Sequence, residues 1–155
     1  MTTRRLILTA ATVAIVSLPL VAAEHPDITG TWTLDAARSD FGPMPVPGDL
    51  VVTVKADGDA FSVQQTGGGQ PDLVLQFNTA GREVTNELPG GKMTSTHRWE
   101  GAVLVADIVI TTGDGAKVTF KDRSTWSADG KSMTTERQIS GPMGDAQVRM
   151  VLNRK

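Results

Sequence analysis

The chain has 155 residues, with 15 basic and 17 acidic side chains and a formal net charge of −2. It contains no run of Lys and Arg, which argues against a nucleic-acid-binding surface. Cysteine is absent, so disulfides and cysteine-held metals are excluded, and stability must come from packing and strand pairing.

The N-terminus has the pattern of a secretory signal peptide. Arg4 and Arg5 precede an apolar stretch over residues 6–21, and a small-residue cleavage site follows. The apolar stretch is short for a membrane span of ~20 residues, and no later stretch is suited to one. We therefore expect residues 1–23 to be removed, which leaves residues 24–155 as a single periplasmic or secreted domain. An uncleaved membrane anchor is the alternative.

The first strand is predicted at Thr29–Leu34. Its alternation places Gly30, Trp32 and Leu34 on one face and threonines on the other. After it, Asp35 can cap one or two helical turns. Residues 41–48, called the strap below, carry three alternating prolines and therefore form an extended loop. The strap either packs across one end of the fold or acts as a lid to a cavity.

From residue 49 onward, short alternating segments are separated by turns rich in Gly, Asp and Pro. The predicted strands are 50–55, 61–66, 73–78, 82–88, 92–99, 103–111, 117–127, 131–140 and 146–153. Short turns favour an all-β, antiparallel up-and-down meander. We predict that it closes into a barrel of about 8–10 strands, with the last strand paired to the first. A two-sheet sandwich is the alternative.

Alternation also predicts which polar side chains face the interior, where each needs a partner. They are Gln65, Asn86, Ser95, His97, Asp122, Ser124, Thr135 and Arg137. A buried Arg137 requires an anion, which is either Asp122 on the preceding strand or the carboxylate of a ligand. His97 either completes a polar network or contacts a ligand. The strand at 103–111 is apolar on both faces, so the direction of Asp107 is open.

Two kinds of catalytic or metal chemistry are weakly supported. Ser95 or Ser124 with His97 and Asp122 provides the residue types of a hydrolase triad, but no oxyanion hole or nucleophile elbow accompanies them. No second histidine lies at ligand spacing from His97, so we expect no metal and no cofactor.

Gly30-Thr31-Trp32 matches the G-x-W motif that opens the first strand of the calycins. The chain resembles this group, which comprises the lipocalins and the intracellular fatty-acid-binding proteins, and it also looks like secreted lipocalin-like proteins of environmental bacteria. The resemblance implies a barrel that binds a small hydrophobic ligand. Arg137 is the candidate counterpart of the carboxylate-binding Arg of fatty-acid-binding proteins, although the chain lacks Tyr. Arg149 or Arg154 is the candidate for the lipocalin Arg that stacks on the motif Trp.

We therefore expect an exported, non-enzymatic carrier or sequestering protein for a small amphipathic, anionic ligand bound inside the barrel. The candidate ligand-binding residues are Arg137, His97, Asp122, Ser124, Gln65, Asn86, Phe61, Phe77, Phe120 and Trp126. The alternatives are a protein-binding envelope module or inhibitor that acts through the strap and has a filled barrel, and an isomerase or hydrolase that uses the interior. An interior cavity of a few hundred Å³ would favour the carrier over the protein-binding module.

Overall fold

The computed structural model describes residues 25–155, so the predicted signal peptide lies outside the described residues. Ten strands follow one another: β1 Gly30–Leu34, β2 Val51–Asp57, β3 Ala60–Thr66, β4 Leu73–Asn78, β5 Val84–Leu88, β6 Gly91–Glu100, β7 Val103–Thr112, β8 Lys117–Trp126, β9 Ser132–Gly141 and β10 Gly144–Arg154. A single 3₁₀ turn, Ala36–Arg38, separates β1 from β2. Within residues 25–155, no helix is long and apolar enough to cross a membrane.

The strands form one antiparallel sheet in the order β4-β3-β2-β1-β10-β9-β8-β7-β6-β5. Trp32 of β1 lies opposite Arg154 of β10, and Leu34 lies opposite Leu152. This register confirms the predicted meander and the predicted pairing of the last strand with the first. The sandwich alternative is wrong, because one continuous ladder joins all ten strands.

The barrel is nearly but not fully closed. No backbone ladder joins the edge strands β4 and β5. The side chain of Asn86 on β5 spans this gap. Its Oδ1 accepts a hydrogen bond from the backbone N–H of Gln76 at 2.7 Å, and its Nδ2 donates to the Gln76 carbonyl at 2.8 Å. One side-chain amide thus takes the place of one peptide group of the missing ladder.

Trp32 closes one end of the core and is 0% exposed. Its Nε1 donates to the carbonyl of Ile28 at 3.2 Å, and the Arg154 guanidinium lies 4.5 Å from the ring centroid. Of the two candidates, Arg154 therefore stacks on the motif tryptophan, and Arg149 instead donates to the carbonyl of Arg38 in the 3₁₀ turn. Gly30 has φ +117, and a Cβ there would lie 3.3 Å from Nη1 of Arg154. The motif glycine thus makes room for the stacked arginine.

The segment between β1 and β2 covers the other end of the barrel. Asp35 caps the 3₁₀ turn by accepting a hydrogen bond from the Arg38 N–H at 3.2 Å, as the sequence predicts. The strap then follows, with Phe41 buried. Its end is fastened to the β3–β4 loop, since Gly68 N–H donates to the Gly48 carbonyl at 2.6 Å.

Candidate functional site: the barrel interior

Two adjoining cavities occupy the barrel. One, of about 260 Å³, lies between the barrel walls. The other, of about 470 Å³, lies under the strap and is lined by Phe41, Met44 and two of the strap prolines. Val52, Gln65 and Arg137 line both cavities, so the two meet at that level of the barrel.

One wall of the smaller cavity is apolar. It is built from the inward positions of β2, β3 and β4, which are Val52, Val54, Phe61, Val63, Leu75 and Phe77. Phe61 and Phe77 pack with their ring centroids 5.1 Å apart, and both belong to the buried core that contains Trp32. The period-2 alternation of these strands places these six side chains on the same face.

The opposite wall carries a transverse polar row. His97 of β6 lies opposite Ala106 of β7, Ala106 lies opposite Asp122 of β8, and Asp122 lies opposite Arg137 of β9. We call these four residues the polar row. Ala106 is the small member, so a short side chain separates His97 from Asp122, and the Asp122 charge acts on the pKa of His97.

Arg137 and Asp122 form a two-pronged ion pair within the polar row. Nε of Arg137 donates to Oδ1 of Asp122 at 2.8 Å, and Nη2 donates to Oδ2 at 2.6 Å. The side chains are 28% and 10% exposed, and the Arg137 guanidinium lies 4.9 Å from the ring centroid of Phe120. The anion that Arg137 requires is therefore supplied from within the protein, and Nη1 stays outside the pair.

His97 is buried, with 7% of its surface exposed, and its ring packs against Phe61 and Phe77 at centroid distances of 5.4 and 4.7 Å. Its Nδ1 has no hydrogen-bond partner among residues 25–155. Burial lowers the pKa of His97 to about 4, although the negative charge of Asp122 acts in the opposite direction. The ring is consequently neutral at pH 7, with one donor and one acceptor nitrogen.

Two further buried polar atoms lack partners in the described part of the chain, Oγ of Ser95 and Nε1 of Trp126. Trp126 lines the smaller cavity. Ser124, next to the polar row, is satisfied, because its Oγ lies 2.8 Å from Oγ1 of Thr135. The polar wall therefore combines a closed ion pair with several unused hydrogen-bonding groups.

Most of the predicted ligand-binding residues come together here. Those that line the smaller cavity are Phe61, Gln65, Phe77, His97, Asp122, Ser124, Trp126 and Arg137. Phe120 lines the cavity under the strap. Asn86 lines neither cavity, and its amide is bonded to Gln76. Their roles in ligand binding stay predictions.

Strand β7 supplies cavity residues that alternation alone could not assign. Leu104, Ala106 and Ile108 line the smaller cavity, whereas Asp107 points outward and pairs with Arg98 at 3.1 Å. A usable signal lay in Asp107 itself, because a charged residue in an apolar strand marks the solvent face when no interior partner is assigned.

The triad geometry is absent from the described residues. Oγ of Ser95 and Nδ1 of His97 have no partner there, Ser124 is bonded to Thr135, and both carboxylate oxygens of Asp122 face Arg137. The same part of the chain holds no group of three or more His, Asp or Glu side chains arranged to bind a metal ion.

A groove of about 540 Å³, which shares Ile28 and Phe61 with the smaller cavity, lies at the end of the barrel opposite the strap, beside His25 and Trp99. The rings of these two residues stack at a centroid distance of 4.5 Å. Its charged members, such as Asp27 and Arg98, are exposed. Water satisfies such groups, so we place the candidate site inside the barrel, where unsatisfied polar atoms are buried.

No protein-family model matches the chain, and no curated protein matches it either. Solved structures do. A secretory abundant heat soluble protein from Ramazzottius varieornatus has a TM-score of 0.63 at 12% identity, over 86% of this chain and 98% of that one. Zebrafish ileal bile acid-binding protein, complexed with cholic acid, has a TM-score of 0.58 at 18% identity, over 82% and 98%.

Lipid binding protein 8 from Caenorhabditis elegans has a TM-score of 0.59 at 13% identity, over 82% of this chain and 94% of that one. Together with the nearly closed ten-strand meander, these matches confirm the calycin-like fold, of the kind found in fatty-acid-binding proteins. Identities this low speak for the fold alone. All three proteins are from animals, so they add nothing to the likeness with bacterial proteins.

Proposed function

We propose that this protein is a non-enzymatic carrier or sequestering protein that holds a small amphipathic molecule inside its barrel. The observation that supports this most strongly is the two-sided cavity. An apolar wall of Val and Phe side chains faces a polar row of His97, Asp122 and Arg137. Apolar pockets with a few placed polar groups are typical of small-molecule sites.

The charge of the head group is a separate question. The expectation of an anionic ligand depended on Arg137 lacking an anion, and Asp122 supplies one. The protein-binding alternative assumed a filled barrel, and the two interior cavities argue against that assumption. The fold neighbours include proteins named for binding bile acids or lipids, and this supports a carrier.

Native mass spectrometry of the protein purified without denaturant from its own host tests the proposal. We expect a mass excess that disappears on unfolding and corresponds to one small molecule. An Ala106→Phe variant fills the middle of the polar row and should lose that mass. Ala60→Phe, the same change at an exposed position of β3, should retain it. A wild-type protein that carries nothing and binds no amphiphile would refute the carrier function.

Export is part of the same proposal and is supported by the signal-peptide pattern of residues 1–23. The mature protein should then begin at Glu24. N-terminal sequencing of protein recovered outside the cytoplasm checks this, and an intact N-terminus in a cytoplasmic fraction would contradict it.

A further inference from the structure

The interior of the barrel has no net charge to offer a ligand. Among the described residues that line the two cavities, those with a formal charge are Asp122 and Arg137. They neutralise each other through two hydrogen bonds of 2.8 and 2.6 Å. A second anion beside Arg137 would also approach the Asp122 carboxylate, and a cation beside Asp122 would approach the guanidinium. Either charged head group would be buried without a partner of its own.

The interior does offer hydrogen-bonding groups that the ion pair leaves unused. Nδ1 of His97 and Nε1 of Trp126 have no partner among residues 25–155, but protein atoms cover both of them. The nitrogen of the His97 ring that is left to meet a ligand in the smaller cavity is therefore Nε2. Nη1 of Arg137 is outside the bonds to Asp122. A buried polar group without a partner is unfavourable, so a ligand that carries a neutral oxygen gains by pairing with these groups.

We propose that the ligand is an uncharged amphiphile whose hydroxyl or carbonyl oxygen is held at the polar row, with the His97 ring as its partner. This inference rests on the carrier function proposed above and specifies the ligand class. The alkyl or ring portion lies against Phe61, Phe77 and the neighbouring valines. A free hydroxyl is the best match, because it can donate to an imidazole nitrogen or accept from an imidazole N–H, whichever the His97 tautomer presents.

Matched ligands with one tail and three head groups test the head-group preference. The probes are decan-1-ol, decanoate and decylammonium, titrated calorimetrically into the purified protein at pH 7.5 and below their aggregation concentrations. We expect decanol to bind at least about tenfold more tightly than either charged probe, because an unpartnered buried charge costs more than 1.4 kcal/mol. This comparison needs only the wild-type protein, so it does not depend on any variant folding.

The two histidines of the chain, His97 and His25, provide a test variant and its matched control. His97→Phe keeps an aromatic ring between Phe61 and Phe77 and removes both nitrogens. His25→Phe makes the same change at an exposed position outside the cavities. The His97 variant should bind decanol roughly three- to tenfold more weakly, and the His25 variant should match the wild type.

The outcomes separate this inference from the carrier function. Decanoate or decylammonium binding as tightly as decanol would overturn the neutral-ligand inference while leaving the carrier function in place. A His97→Phe variant that folds and binds decanol with wild-type affinity would overturn the assignment of His97. If no probe binds and native mass spectrometry finds no ligand, the carrier function itself fails.

Discussion

At the scale of single residues, the ion pair between Arg137 and Asp122 decides how the interior tolerates change. Arg137→Met keeps the volume but leaves a buried carboxylate without its two hydrogen bonds. We expect the free energy of unfolding to fall by ~3–5 kcal/mol, measured by urea denaturation. Adding Asp122→Leu to the same variant should recover most of this loss, because it removes the stranded charge.

A single Arg137→Met variant with wild-type stability would show that the pair contributes little. Arg137 would then be available to bind the carboxylate of a ligand, which is the alternative partner that the sequence analysis gives for it. Volume-conserving changes at such a site cost less than ~1.5 kcal/mol.

His97 should make the stability of the fold depend on pH. Its pKa is lowered by burial from 6.5 in the unfolded chain to about 4 in the folded protein. The free energy of unfolding is therefore highest above pH 6.5, where His97 is neutral in both states. It falls by up to about 3 kcal/mol as the pH drops toward 4, because only the unfolded chain takes up the proton in this range. Between these pH values, the urea midpoint of the wild type should therefore fall more steeply with decreasing pH than that of His97→Phe.

His25→Phe is the control for that experiment, because His25 is exposed. Carboxylates titrate in the same pH range and affect both proteins equally. The effect of His97 is therefore the difference between the pH profiles of the wild type and the His97 variant. Parallel pH profiles for wild type and His97→Phe would contradict the neutral, buried state of His97.

Which residues face inward could be predicted from the sequence, but how they pair could not. Alternation placed Asp122, Arg137 and His97 on one face, since every second residue of a strand shares a face. Whether Arg137 binds Asp122 or a ligand depends on side-chain geometry across β8 and β9, and both choices satisfy the same pattern. Asn86 was predicted to meet a ligand, yet its amide bonds to Gln76.

At the scale of elements, the gap between β4 and β5 is the weak seam of the barrel. Asn86→Leu keeps the branched shape of the side chain and removes both hydrogen bonds to Gln76. We expect a loss of ~1–3 kcal/mol, because two hydrogen bonds across the seam are removed, each worth about 0.5–1.5 kcal/mol. Hydrogen exchange of the Gln76 amide should accelerate, as its acceptor is the Asn86 side chain.

Val63 of β3 is the internal reference for this measurement, because β3 is paired along its length with both β2 and β4. Its amide should stay protected in the Asn86 variant to the extent that global unfolding allows. Equal acceleration at Gln76 and Val63 would mean that the seam opens only when the whole barrel unfolds.

The order of the strands followed from the sequence because short turns permit little besides hairpins. The pairing of β1 with β10 came from the closure argument, which removes sheet edges. The remaining gap between β4 and β5 could not be foreseen, since it depends on how ten strands of unequal length meet around a circle. The facing of β7 was also hidden, because both of its faces are largely apolar.

At the scale of the whole molecule, a barrel without disulfides retains two interior cavities of about 260 and 470 Å³. Unfilled interior volume generally reduces stability, because lining atoms lose contacts. The fold tolerates this alongside buried polar atoms that have no partner among residues 25–155. A ligand that fills the space should therefore raise the unfolding temperature as its concentration rises.

The three tryptophans allow a direct test of where a ligand binds. Trp126 lines the interior cavity, Trp99 lies at the outer groove, and the indole of Trp32 is bonded to Ile28. In a ¹⁵N-labelled sample each indole N–H gives a separate NMR signal, assigned with single Trp→Phe variants. With saturating decan-1-ol, the Trp126 signal should move most and the Trp32 signal should stay in place. A Trp126 signal that does not move, or a larger shift at Trp99, would contradict binding inside the barrel.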